Sequence, residues 1–507
     1  MLEPKAAAFI AIDLGASGGK VSVGLFEGHY FELHEVLRFP NAGVSVWVPS
    51  RDGPPFERTY WDELALYEHI LDGLKKAAAA AREPVVSLGI TTWGADAALL
   101  GINDEPVQRM YCYRDHRLDP IPALRAKLLP DERVFERTGL RPQPWYLLNQ
   151  LLEVAPHLGD GPMGKVETVL PVGGLFEFFL CGSKVAEQSW MACQGLLDWR
   201  TGDYCDEILE AIHIPREILP KIVPPGTTLG TLHPPIAERT HLAGCTVVAV
   251  KAHDTACAFT AAPAADLRRA LILSSGTWSL VGKRLAEPLI RPEVLAAGLS
   301  NEGVRGDVRL LRNVMGTWPI QQLRAQWAQA DGREMSWDEI VQLGESAEPL
   351  ATLLDVDDPA LFNPPDMYAA ILAQLARTHQ PPPADRGALL RAVYEGLALK
   401  VAQVNRQLGE VTGTPQEVIH IVGGGSQNAL LNQFIADATG LPVSAGPAEA
   451  TSIGNLLVQA HAAGAIDTIE TGRRMVAFTL PQKRYEPAAD QPWAEALRRF
   501  DALTAGQ

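Results

Sequence analysis

The chain has 507 residues, 47% of them hydrophobic and 21% charged, which is the composition of a folded globular protein with apolar material for more than one core. A formal net charge of −16 argues against nucleic acid and anionic membrane as partners, since both reward a basic surface, but it leaves room for a nucleotide neutralised locally. No run approaches the roughly 18 apolar residues of a membrane helix; Met1–Lys5 lacks a signal-peptide layout, and the six cysteines form no Cys-x-x-Cys pair, so a cytoplasmic protein without a zinc site or disulfide framework is expected.

In chain order, the apolar run Phe9-Ile10-Ala11-Ile12, the turn Asp13-Leu14-Gly15-Ala16-Ser17-Gly18-Gly19-Lys20 and the run Val21–Phe26 predict a β-hairpin over 8–26. Glycines there allow a tight bend that brings amide donors to an anion, and an acidic residue ending the first strand can hold a metal-bound water. The turn therefore reads either as an ordinary hairpin or as a phosphate cradle, with Gly15, Ala16, Ser17, Gly18, Gly19 and Lys20 on the phosphate and Asp13 on Mg²⁺. Apolar residues at helical spacing fill Tyr60–Ala81; Val86–Ile90 reads as a buried strand running into the loop Thr91–Asp96; Val166–Val172 and Thr246–Val250 read as strands. The last of these ends at Lys251-Ala252-His253-Asp254-Thr255, and a domain boundary is placed at 255–265, with Ala261–Ala265 as a hinge between domains 1–258 and 259–507. Beyond it a second strand–turn–strand spans 270–282 around Ser274-Ser275-Gly276-Thr277. Two such turns half a chain apart suggest two related halves able to grip a nucleoside triphosphate across a cleft. Val308–Leu311 follows, then helical stretches over 365–380 and 386–409 with Pro381–Pro383 as a surface loop, and the strand Val418–Val422 runs through Gly423-Gly424-Gly425-Ser426-Gln427-Asn428 into a helix over 429–439. Strand, glycines and helix start make another anion-facing arrangement.

Asp254, at the end of a buried strand, can accept the proton of a hydroxyl attacking a γ-phosphate, or it can cap a helix starting at Thr255. Trp93, Trp278 and Trp318 adjoin these turns and read as core more readily than as stacking platforms. His420 reads as a hydrogen-bonded core histidine, and Arg114, Asp115 and Arg117 as a surface or interdomain ion pair.

The segments 13–17, Thr92–Asp96, Tyr113–Asp115, His253–Thr255, Ser274–Leu280, Asn313–Gly316, His420–Asn428 and Ala445–Asn455, in that order, resemble the FGGY carbohydrate kinases of the actin-like ATPase superfamily, most closely those that phosphorylate L-rhamnulose. The resemblance implies an α/β fold of two actin-like (ribonuclease H-like) domains with an ATP and sugar cleft between them. It implies transfer of the γ-phosphoryl of Mg-ATP to the terminal hydroxyl of a ketose, giving a 1-phosphate, with Asp254 as general base and Asp13 at the metal. On the cofactor side it places the 13–20 turn, Gly276, Thr277, Gln321, Gly423, Gly424, Gly425 and Asn428; on the sugar side Gly94, Ala95, His253, Asp254, Thr255 and Asn313. The implied cofactors are ATP and Mg²⁺ and the implied partner is a small-molecule ketose, with a homodimer compatible. L-rhamnulose comes first, L-fuculose or a pentulose next, and a non-kinase actin-like ATPase or sugar sensor is the reading from another class. The chain departs from those relatives at Gly18 and Lys20, where Ser and Arg are usual, at Thr91, where Asp is usual, and at Tyr146-Leu147, where Asn-Thr is usual; the last two departures are expected near the sugar.

Overall fold

A computed structural model describes residues 6–50, 53–158, 166–264, 266–488 and 492–505, so Met1–Lys5 and Ala265 of the expected hinge lie outside the described residues. The chain forms two compact units, one of Met1–Ala261, Leu285–Arg309 and Thr451–Thr479, the other of Ala262–Arg284, Leu310–Ala450 and Leu480–Gln507.

The first unit is built on β1 (Ala7–Gly15), β2 (Gly18–Glu27), β3 (Tyr30–Pro40), β4 (Val85–Thr92), β5 (Thr227–Thr231) and β6 (Thr246–Ala249), in the sheet order β5-β6-β4-β1-β2-β3. β1 lies mid-sheet and is buried from Ala8 to Leu14, which is why its sequence is a continuous apolar run rather than an alternation. It pairs antiparallel with β2 in a register closed by Gly15 and Gly18, and parallel with β4, where Asp13 stands opposite Thr91. The helix Glu63–Ala80 starts on an Asp62 cap accepting from the Ala65 amide at 3.0 Å and buries Leu66, Ile70, Leu74 and Ala77. A Cβ at its Gly73 would lie 2.4 Å from Val21 Cγ2, so this glycine sets the approach of helix to sheet.

β4 ends at Thr92, whose amide donates to Ala252 O at 2.7 Å, and the chain beyond β6 turns there into the helix Asp254–Ala261. The helix Ala450–Ala462 crosses this one so closely that a Cβ on Gly454 would sit 2.0 Å from Cys257 O. The predicted strand at 166–172 forms as Val166–Pro171, but it pairs with Ala97–Gly101, outside the six-stranded sheet.

The second unit centres on β7 (Ala270–Ser275), β8 (Trp278–Leu285), β9 (Asp307–Met315), β10 (Val418–Val422), β11 (Val443–Ala445) and β12 (Lys483–Tyr485), in the order β9-β8-β7-β10-β11-β12. In both sheets the first strand of the hairpin, β1 or β7, has its antiparallel hairpin partner on one side and a parallel strand, β4 or β10, on the other. The 27-residue helix Arg386–Thr412 is capped by Asp385 and closed by Gly413 at φ 64°; its middle turns are buried on every side, as their apolar residues require. Among the described residues no helix is long and apolar enough to cross a membrane, and all six cysteines are free thiols.

Candidate active site

In the first unit a two-residue turn, Ala16-Ser17, joins β1 to β2. It borders a pocket of about 480 Å³ whose wall includes Asp13, Ser17, Gly18, Lys20, Asp254 and Thr451. The tight turn explains Gly15, since a Cβ there would approach Gly18 O to 2.9 Å. Gly19 serves packing: its side-chain direction is filled by the Phe39 ring, 2.2 Å from where a Cβ would stand. Asp13 and Lys20 are cross-strand partners and form an ion pair of 3.2 Å at the pocket wall. The Thr91 hydroxyl, fully buried, lies 3.2 Å from Ile12 O and 3.4 Å from Asp13 Oδ1. Thr91, expected on a segment near the sugar, therefore supports the Asp13 carboxylate, because parallel register sets it opposite Asp13. Tyr146 and Leu147, also expected near the sugar, are buried in the core, with the Leu147 amide on Gln194 Oε1 at 3.1 Å.

Asp254 does not cap its helix. His253 O accepts from the Ala256 and Cys257 amides at 2.9 and 3.2 Å, so His253 takes the preceding position. Asp254 Oδ1 instead accepts the Thr255 amide at 2.6 Å and the Thr255 hydroxyl at 3.2 Å, with His253 Nε2 3.4 Å away. Burial in the site, reinforced by the charge of Asp13, pushes the carboxyl up to about 7. His253 is held neutral, down to about 3, by burial and by Arg309. Its Nδ1 faces Cys193 Sγ at 3.4 Å and Glu302 Oε2 at 3.6 Å. Gly94 lies against the same ring: a Cβ there would be 2.6 Å from Nε2. Ala95 is buried in the loop behind Gly94, which is anchored by Asp96. That residue, at φ 74° and fully buried, accepts from Trp61 Nε1 at 2.7 Å, Trp93 Nε1 at 2.9 Å and Gln150 Nε2 at 3.0 Å. Trp93 is thus core, as the sequence suggests.

The second unit gathers another set. Thr317 N and Oγ1 both donate to Gly276 O at 3.0 Å, the Gly316 amide donates to Thr277 O at 3.1 Å, and Gln321 Nε2 lies 3.3 Å from Thr277 Oγ1 and 3.1 Å from Thr317 Oγ1. After β10, Gly423 at φ 83° and Gly425 lie against Ser275; a Cβ on Gly425 would come within 2.0 Å of its Oγ. Gly424 faces open space. Asn428, expected at the nucleotide, caps the helix Ala429–Thr439 by accepting from the Leu431 amide at 3.0 Å. Asn313 is half-buried on β9. Trp278 packs against Phe362 with ring centroids 6.1 Å apart, and Trp318 opens the helix Trp318–Asp331. His420 is buried within β10 and pushed down to about 4, but its Nδ1 meets no hydrogen-bond partner among the described residues, which corrects the expected hydrogen-bonded state.

The expected surface or interdomain pair at 114–117 is a buried network of the first unit. Asp115 accepts from the Thr59 and Arg117 amides at 2.6 and 2.8 Å, Arg117 pairs with Glu153, and Arg114 lies over the Tyr113 ring.

The profile of the N-terminal domain of the FGGY family of carbohydrate kinases matches residues 9–260, and that of its C-terminal domain matches 271–463. The chain belongs to this family. A rhamnulokinase of Bacteroides thetaiotaomicron is 36% identical, covering 97% of this chain and 98% of the relative; one of Pectobacterium atrosepticum is 35% identical, covering 98% and 96%. Among solved structures, a ligand-bound xylulose kinase from Lactobacillus acidophilus aligns with a TM-score of 0.77 at 15% identity, covering 99% of both chains. The protein is therefore a sugar kinase with the two-domain, actin-like α/β fold of its family, and ATP is its phosphoryl donor.

Four residues around this kinase's candidate site escaped the sequence. Glu187 accepts the Ala252 amide at 2.9 Å and so fixes the approach to Asp254; Cys193, Glu302 and Arg309 surround His253. They come from segments far apart in the chain, and no local pattern links them.

Proposed function

We propose that this kinase phosphorylates L-rhamnulose on its terminal hydroxyl, giving the 1-phosphate, with Asp254 as general base. The observation that carries the reading is the pairing of Asp254, raised to about 7 at the wall of the pocket, with a chain at least 35% identical to two rhamnulokinases over nearly all of its length. A carboxylate titrating near neutrality can take the hydroxyl proton as the oxygen attacks phosphorus and still be ionised in a useful fraction of molecules.

Lys20 and the amides of the Ser17-Gly18 turn would receive phosphate oxygens on the first unit, and Thr277, Gln321 and the Gly423–Gly425 turn would hold the nucleotide on the second. Gly94, His253, Thr255 and Asn313 would contact the sugar. The donor set at Asp13 fits Mg²⁺, because it is a hard carboxylate facing a pocket and steadied by Thr91. Magnesium bound there with ATP would neutralise charge on the phosphate oxygens. Asp13 orients, Lys20 neutralises, and Asp254 moves the proton.

A coupled ADP-release assay with Mg-ATP over L-rhamnulose, L-fuculose, L-ribulose, D-xylulose and glycerol tests the proposal. Preference for L-rhamnulose supports it, preference for another ketose retains the kinase and replaces the substrate, and silence across the panel with ATP bound points to the sensor reading.

A further inference from the structure

β3 runs beside β2 in antiparallel register down to the pairs Lys20 with Arg38, Gly19 with Phe39 and Gly18 with Pro40. Proline has no N–H, so it cannot donate to the ladder. The next residue, Asn41, turns its donors elsewhere. Its Nδ2 donates to Gly15 O at 2.8 Å, and its backbone amide reaches Ser17 O at 3.5 Å. Both acceptors belong to the turn that joins β1 to β2, and Asn41 is buried against it, only 7% exposed.

The pocket wall takes Gly15, Ser17, Gly18 and Lys20 from the hairpin and Phe39 and Pro40 from β3, whereas Asn41 is not among its described lining residues. Asn41 therefore touches the turn and not the contents of the pocket. What an anion meets on a turn depends on how the peptide units are oriented, since each carries an N–H on one side and a C=O on the other. An N–H attracts a phosphate oxygen and a carbonyl repels it. Glycine on both sides of Ala16-Ser17 leaves the backbone little steric preference of its own, so a donor that ties down the carbonyls decides which groups face inward. Phe39 steadies the same hairpin independently: its ring fills the place of a Gly19 side chain and stacks on His69 of the helix Glu63–Ala80, with centroids 4.5 Å apart at 16°.

We infer that Asn41 is a positioning residue for phosphate: by taking the Gly15 and Ser17 carbonyls it keeps their negative ends off the pocket and leaves N–H groups and Lys20 to meet the phosphate oxygens. The role needs a donor and not merely the shape of asparagine. Aspartate has that shape, but its carboxylate only accepts, so it would set lone pairs against Gly15 O and place a negative charge behind the turn. The inference rests on the reading of this turn as the phosphate cradle, and its test is separable from that reading.

The test measures binding of Mg-ATP and of adenosine, which carries no phosphate, to full-length wild type, Asn41→Ala, Asn41→Ser and Asn41→Asp, with thermal melting to show that each is folded. Asn41→Ala should weaken ATP about tenfold, the worth of one well-made hydrogen bond, and leave adenosine within about twofold. Asn41→Ser, which keeps a hydroxyl donor, should fall between wild type and Asn41→Ala, and Asn41→Asp should be the worst, at about 30-fold. A packing role ranks the variants the other way, because Asp fills the space of Asn and Ala does not. Unchanged ATP affinity in Asn41→Ala, equal loss of ATP and adenosine, or an Asn41→Asp protein that binds ATP better than Asn41→Ala would each overturn the inference. Should Asn41→Ala not fold, the contrast of Asn41→Ser with Asn41→Asp decides by the same ranking. Lys20→Ala separates the parent reading: if it too leaves ATP affinity unchanged, the turn is not the phosphate cradle, whereas a loss in Lys20→Ala with none in Asn41→Ala removes the role of Asn41 alone.

Discussion

The β1–β2 hairpin of the first unit and the β7–β8 hairpin of the second are the same device carrying different chemistry. Each is an apolar strand, a small-residue turn and a returning strand, flanked by a parallel partner, β4 or β10. Counting from the closing pairs, Gly15 with Gly18 and Ser275 with Ser279, the third cross-strand pair is Asp13 with Lys20 in one and Leu273 with Val281 in the other. One unit puts an ion pair at the pocket wall, while the other has two buried aliphatics at the matching place in its hairpin and makes its polar contacts through Thr277, Thr317 and Gln321. The shared frame supplies backbone donors, and a single pair decides whether a site handles charge by carboxylate and amine or by neutral groups.

The sharpest test of that division is Asp254→Asn, which removes the proton acceptor next to the charged hairpin and keeps its shape. Turnover should fall by about 10³-fold while ATP and sugar binding, measured by calorimetry, change little. Near-normal turnover would remove Asp254 as base. Next in size is the double variant Asp13→Leu with Lys20→Val, which writes the second hairpin's pair into the first. The fold should survive, because those residues already occupy the matching place in β7 and β8. Thermal melting should confirm this while kcat/KM for ATP drops about 100-fold and its dependence on added Mg²⁺ disappears.

The loops after the parallel strands extend the contrast. After β10 come glycines, whose missing side chains let the backbone lie on Ser275; after β4 comes Asp96, a buried carboxyl taking three side-chain donors. Asp96→Ala strands Trp61, Trp93 and Gln150 and should cost about 3 kcal/mol of stability by denaturant unfolding, whereas Gly425→Ala should cost roughly 1–3 kcal/mol through overlap with Ser275. The pH dependence has a definite sign. Burial raises Asp96 from 3.8 to about 6, so the folded state binds this proton more tightly than the unfolded chain. Its contribution is full below about 4, declines as pH rises to about 6, and is flat beyond. Asp254, raised to about 7, acts in the same direction over a wider window. Melting curves of wild type and Asp96→Asn across pH 4–7 should converge on the acid side; parallel curves would refute the assignment.

The frame of both units was legible wherever the sequence had a period or a punctuation mark. β1, β7 and β10 are apolar runs ended by small residues, and Glu63–Ala80 and Ala429–Thr439 begin at Asp62 and Asn428 caps. Of the residues singled out in the sequence, Asp13, Ser17, Gly18, Gly19, Lys20 and Asp254 share one pocket, and Thr277 and Gln321 lie together. Other positions have a structural duty that the sequence did not disclose: Gly19 makes room for Phe39, Asn428 caps a helix, and parallel pairing puts Thr91 on Asp13. The Cys193, Glu302 and Arg309 cluster, drawn from distant segments, leaves no local trace.

The smallest expected effect falls on the member of the charged pair that the second hairpin replaces by Val281. Lys20 presents a point charge to Asp13 at 3.2 Å, and Arg would present a planar fork with the same charge and more donors. If Lys20 mainly neutralises a phosphate oxygen, Lys20→Arg should lower KM for ATP by about two- to threefold and leave kcat within a factor of about two, since both forms carry one positive charge to the same wall. If Lys20 instead matters by holding Asp13, the longer fork should displace that carboxylate from Thr91, and the loss would appear in kcat and in the Mg²⁺ requirement rather than in KM. Steady-state kinetics over ATP and Mg²⁺ concentrations separate the two, and thereby say whether the cross-strand pair acts through its charge or through its geometry.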